Sequence, residues 1–116
     1  MAMKDGIPFI SFGTPGAAAQ TVTLTQIVLN LVDFEMNVQA AIEAPRWAVD
    51  RSGKRLIEDG IDPSVRVRLE AMGHEFFPPD TGPLMFGSAK VVMRDPATGT
   101  LFAGADFRRY AYAVGY

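Results

Sequence analysis

The sequence predicts an α+β fold. Three observations carry this reading. An apolar run ends in a glycine-rich turn, the stretch after it places apolar residues at helical spacing, and two strand-like segments near the chain end flank a turn. The expected result is a single domain over residues 1–116, with antiparallel strands and about three helices.

Each element has its own signal. Ile7 to Phe12 is a short apolar run between Gly6 and Gly13-Thr14-Pro15-Gly16, which suits a buried strand feeding a tight loop. From about Ala18 to Phe34 the period becomes helical. Leu24, Ile27, Val28 and Leu31 form an apolar stripe, and Thr23, Gln26, Asn30 and Asp33 form a polar one. The threonines and Val22 weaken intrinsic helix propensity, so packing must hold this helix. Asn37 is placed to cap a short second helix that runs through Ala44 and stops at Pro45. Trp47-Ala48-Val49 and Leu56-Ile57 flank polar turn residues and read as a hairpin. Asp62-Pro63 starts a third helix with Val65, Leu69 and Met72 as its expected buried stripe, and Gly73 ends it. Residues Pro78 to Pro83 read as a loop. Ser88 to Arg94 then alternates, with Ala89, Val91 and Met93 on one face, before the Asp95-to-Gly99 turn and a partner strand from Thr100 to about Ala105.

Composition excludes several functions. The chain is 48% hydrophobic and 21% charged, with a mean hydropathy of +0.11, which is incompatible with disorder. Eleven basic residues against thirteen acidic ones give a net charge of −2, so no basic footprint points to nucleic acid. Cysteine is absent, which removes disulfides, thiolate nucleophiles and thiolate-bound zinc, and His74 is the single histidine. No metal site or cofactor is expected. The most apolar stretch, Thr21 to Phe34, is interrupted by polar residues, and no membrane span is expected. Met1 to Gly6 lacks the apolar centre of a signal peptide, so the chain as it stands reads as cytoplasmic.

Candidate chemistry is sparse. The loop Gly13-Thr14-Pro15-Gly16-Ala17 lies between a strand and a long helix, where unpaired backbone N–H groups attract a phosphate, a carboxylate or a developing oxyanion. It lacks the lysine of a Walker loop, and an ordinary strand-to-helix turn has the same residues. His74 follows a helix stop and reads as a surface or capping residue. Arg108-Arg109 could hold a carboxylate or form a structural ion pair, and Trp47 suits a core or an interface. Thr14, Thr81 and Ser88 lie beside or near glycines, but none has a neighbouring base to activate its hydroxyl.

Several short motifs, in order, resemble one family. Gly13-Thr14-Pro15-Gly16-Ala17 is similar to the Gly-Ser/Thr-Pro-Gly-Gly loop of the γ-glutamyltranspeptidases. Ala41-Ile42-Glu43-Ala44-Pro45-Arg46 resembles that family's Ala-Ile-x-Ala-Pro-Arg signature, and Leu69-Glu70-Ala71-Met72-Gly73-His74 its Leu-x-x-x-Gly-His helix end. Gly87-Ser88, Asp95-Pro96 with Gly99, Gly104-Ala105-Asp106 with Arg108-Arg109, and the closing Gly115-Tyr116 resemble its last hairpin and tail. The likeness runs from about Pro8 to Tyr116 and places the chain in the C-terminal part of the small subunit.

This resemblance implies part of an N-terminal-nucleophile hydrolase with an αββα sandwich. In such enzymes an N-terminal threonine attacks a γ-glutamyl amide, using its own α-amine as the base. Only twelve residues precede Gly13 and none is a threonine, so the nucleophile is expected outside this chain. What carries over is an oxyanion hole formed by the backbone N–H groups of Gly16 and Ala17. Alanine stands where the family has its second glycine, and a left-handed backbone there would be strained. Asp106-Phe107-Arg108 likewise stands for the family's Asp-Pro-Arg. The implied partners are a γ-glutamyl small molecule in a complete enzyme, together with a chain carrying the missing subunit or further copies of this one. Two other readings stay open: a catalytically inactive, self-associating scaffold, and an anion-binding module built on the Gly16 loop.

Overall fold

The computed structural model describes residues 1–16, 19–78 and 85–115. In chain order the elements are β1 (Ala2–Lys4), β2 (Ile7–Gly13), α1 (Ala19–Val32), α2 (Val38–Glu43), β3 (Trp47–Val49), β4 (Arg55–Ile57), α3 (Pro63–Ala71), β5 (Phe76–Phe77), β6 (Lys90–Arg94) and β7 (Leu101–Ala105). They form a four-stranded sheet, β1-β2-β6-β7, and a three-stranded sheet, β3-β4-β5. Among the described residues, no helix is long and apolar enough to cross a membrane.

The larger sheet is antiparallel throughout. β1 was not expected from the sequence; Asp5 and Gly6, both at positive φ (52° and 77°), make the tight connection that folds it onto β2. β2 is half-buried rather than buried, because only Ile10 is fully enclosed and Ser11 faces outward. α1 and α2 cover one face. Ile10, Ala89 and Val91 of the sheet side pack there with Ile27 and Leu31 of α1 and with Val38, Ala41 and Ile42 of α2. Burying an aliphatic side chain such as Ile10, Ile27 or Ile42 contributes about 1.5–3 kcal/mol each.

The helix ends follow local chemistry. Asn37 Oδ1 accepts from Ala40 N at 2.8 Å and opens α2, and Asp62 Oδ1 accepts from Ser64 N at 2.8 Å ahead of Pro63 in α3. The buried stripe of α1, however, is Ala19, Thr23, Ile27 and Leu31. Leu24 and Val28 are only half-buried, and Thr23, expected on the polar side, is enclosed because its hydroxyl finds a carbonyl across the fold. Gln26 also turns inward. Its amide donates to Trp47 O at 2.9 Å and accepts from Trp47 N at 3.1 Å, satisfying the free edge of β3.

The smaller sheet contains the expected antiparallel hairpin, β3/β4, and one parallel pairing, β4/β5. That pairing was not anticipated, and α3 is the crossover a parallel connection needs. The stripe of α3 departs from expectation. None of its residues is buried, Val65 is exposed, and Met72 beyond its end is 75% exposed. The loop expected over Pro78 to Pro83 lies, after Pro78, outside the described residues.

Candidate functional site

The glycine loop joins β2 to α1. β2 ends at Gly13, and Ala19 N donates to Gly16 O at 3.0 Å where the helix begins. Gly16 has φ +138°, a conformation that side chains disfavour. The first turn of α1 carries no acidic residue, so the positive end of its dipole is left uncancelled on the loop side. Ala17, the other expected oxyanion donor, lies outside the described residues.

The loop rests on the segment Phe86–Ala89. Thr14 Oγ1 accepts from Ser88 N at 2.8 Å and donates to Pro15 O at 3.0 Å. Gly87 makes that approach possible. Its φ is +80°, and a Cβ there would lie 2.5 Å from Thr14 Oγ1. From the helix side, Thr23 Oγ1 donates to Phe86 O at 3.2 Å.

Beneath this seat lies a buried charge network. Arg46 Nη1 donates to Phe86 O at 2.8 Å and to Asp106 Oδ2 at 2.7 Å. Asp106 Oδ2 also accepts from Ala89 N at 3.0 Å, and Asp106 N donates to Ala89 O at 3.0 Å. Arg108 Nη1 donates to Asp106 Oδ1 at 3.1 Å, while its Nε and Nη2 take the two oxygens of Glu58 as a fork. Two cations and two anions therefore balance. Burial alone would push the Asp106 carboxyl up, but the N–H groups of Arg108 and Ala89 and the Arg46 guanidinium outweigh it and hold the group below the usual carboxylate range. Burial pushes Arg46 down, partly offset by Asp106, whereas the bonds from Glu58 outweigh burial and raise Arg108.

The other sequence candidates fall away from this centre. Ser88 is fully enclosed, and its Oγ accepts from Lys90 Nζ at 2.7 Å. Thr14 is engaged as described, and Thr81 lies outside the described residues. His74 is exposed and stacks on Phe76 with 6.3 Å between ring centroids. Of the arginine pair, Arg108 turns inward as the structural ion pair. Sequence reasoning missed Arg46, Glu58 and Thr23 as members of one cluster. Arginine and aspartate standing among small and apolar neighbours at Arg46 and Asp106 was the available signal. Among the described residues, no group of three or more His, Asp or Glu side chains is placed to hold a metal.

The antiparallel sheet with helices on one face and the glycine loop at the head of α1 make up part of an N-terminal-nucleophile hydrolase fold, as superposition on solved members of that fold shows. The family model described as Gamma-glutamyltranspeptidase matches residues 1–116, and the chain belongs to that family. It is 31% identical over 112 residues to the glutathione hydrolase proenzyme of Bacillus subtilis, covering 97% of this chain and 19% of that protein. A cephalosporin acylase from Bacillus halodurans superposes with a TM-score of 0.80 at 31% identity, covering 97% of this chain and 22% of that one. A γ-glutamyltranspeptidase mutant from Helicobacter pylori superposes with a TM-score of 0.81 at 25% identity, covering 93% of this chain and 58% of that one. The chain thus spans about a fifth of the length of the curated relatives it matches.

Proposed function

We propose that this chain supplies the oxyanion-binding loop of an enzyme that transfers or hydrolyses γ-glutamyl groups from glutathione-like amides, with the nucleophilic threonine provided by another segment. The threonine hydroxyl would attack the amide carbonyl and pass its proton to its own α-amine. The carbonyl oxygen would then become an oxyanion facing the N–H groups of Gly16 and Ala17. Collapse would expel the amine with that proton, and water or a second amine would then attack the γ-glutamyl ester, give its proton to the α-amine, take the acyl group and return the threonine hydroxyl. Each oxyanion donor typically contributes about 3 kcal/mol to the transition state. The observation that carries this reading is Gly16, held at φ +138° at the head of α1 by a loop braced on Ser88.

The test is release of p-nitroaniline from γ-glutamyl-p-nitroanilide. The chain alone should be inactive, and co-expression with a polypeptide supplying the rest of the family's length should give turnover. In that complex Gly16→Ala should lower kcat by roughly tenfold or more, with KM less affected. Turnover by the chain alone would overturn the assignment of the nucleophile to another segment.

A second reading, a self-associating scaffold, is favoured by one observation. Leu101 and Phe102 on the edge strand β7, with Tyr110, Tyr112 and Val114 after it, are all at least half exposed. Light scattering separates the two readings: a stable oligomer that stays inactive with the complementing polypeptide supports the scaffold.

A further inference from the structure

The small sheet has two unlike faces. Its register places Ala48, Leu56 and Phe77 side by side on one of them, against Phe86 and Met85. Strand alternation then commits Trp47, Val49, Ile57 and Phe76 to the other. α3 lies over this second face without sealing it. Between them is a crevice of about 360 Å³, walled by those side chains and, from the helix side, by Ile61, Val65 and Leu69. Sites for small ligands typically span roughly 300–1,000 Å³, with mostly apolar walls and a few polar groups that set orientation.

Arg55 is the one side chain with a fixed charge among the residues that line the crevice. Arg55 belongs to the same sheet face, set in register with Val49 and Phe76, and has no ion-pair partner among the described residues. His74 stands at the rim, stacked on Phe76. Among the described residues, no carboxylate lines the crevice. A guanidinium at the edge of a carbon-walled slot matches an anion that carries an apolar body.

We propose that this crevice binds a small amphipathic carboxylate, a medium-chain alkyl or arylalkyl acid, with its apolar body between Trp47 and Leu69 and its carboxylate on the Arg55 guanidinium. None of the lining residues belongs to the glycine loop or its seat, so the site is independent of the proposed activity.

Trp47 is the only tryptophan in the chain and therefore reports on the crevice alone. Octanoate titrated into the 116-residue chain should shift Trp47 emission saturably. Arg55→Gln should weaken octanoate by about fivefold or more while leaving 1-octanol unchanged, since only the charge-assisted contact is removed. Val65→Phe, at an exposed helix position, should fill the slot and abolish the response to both ligands, with far-UV circular dichroism showing the fold intact. A non-saturating response overturns the proposal. So does equal binding of octanoate by the chain and Arg55→Gln, or undiminished binding by Val65→Phe. A Trp47 shift that follows protein concentration, with sedimentation showing a dimer and no octanoate effect, also overturns it by making the crevice a contact between copies.

Discussion

Arg46 Nη1 lies 2.7 Å from Asp106 Oδ2, and both side chains are fully enclosed although sixty positions separate them in the chain. The pair joins the corner after α2 to the end of β7. Because Arg46 also holds Phe86 O and Asp106 also holds Ala89 N, it fixes both ends of the segment on which the glycine loop sits. The geometry of the candidate oxyanion loop therefore depends on charges that never touch it.

Removing one member should expose that dependence. Asp106→Ala leaves two buried guanidinium groups short of an anion and should cost about 3–5 kcal/mol. Arg66→Ala breaks the exposed Arg66–Glu70 pair and should cost no more than about 0.5 kcal/mol. Urea unfolding of the two variants checks the contrast. Similar midpoints for both would remove the network from its bracing role.

The same carboxylate sets a pH dependence. The folded Asp106 carboxyl titrates below its unfolded value, so its contribution is complete above the unfolded pKa of about 3.9 and is lost as pH falls through the lower folded value. Stability should decline through that acidic window. Asp106→Asn, which is less stable at neutral pH, should show a shallower decline there. Thermal melts of both proteins from pH 6 downward test the sign.

Gly87 and Thr14 should be coupled. A Cβ at Gly87 meets Thr14 Oγ1 at 2.5 Å and also imposes a left-handed backbone on an L side chain, so Gly87→Ala should cost about 1–3 kcal/mol. Thr14→Ala alone leaves Ser88 N without its acceptor. In the double variant the clash with Thr14 is gone, although the 3.3 Å approach to Thr23 remains, and the two costs should fall short of additive by about 0.5 kcal/mol or more. A double-mutant cycle in urea measures this, and strict additivity would refute the contact.

Two threonines two positions apart on α1, one enclosed and one exposed, make a fourth comparison. Thr23→Val keeps the shape but deletes the buried bond to Phe86 O, and should cost about 1 kcal/mol or more. Thr25→Val lies on the exposed side of α1 and should change stability by less than about 0.5 kcal/mol. Chemical denaturation of both variants distinguishes them.

What the sequence determined by itself is what the chain decides within a few residues. The caps Asn37 and Asp62-Pro63, the stop at Pro45, the hairpins β3/β4 and β6/β7 and the glycine loop ahead of α1 are all local hydrogen-bond and steric chemistry. The ordered motifs also carried the family. Asp5-Gly6 is a hairpin turn too, but β1 is only three residues long and has no apolar alternation to announce it.

Tertiary structure alone decided the rest. Thr23 counts as polar by type and as core by position, because a carbonyl sixty-three residues away accepts its hydroxyl. Val65 reads as buried by spacing and stands exposed, because α3 does not close onto its sheet. Arg46 joins Asp106, and Arg108 joins Glu58, across fifty residues or more. Periodicity records which side chains share a face of one element. It carries no information about which distant element that face will meet, and here the distant partners set both the seat of the loop and the open crevice.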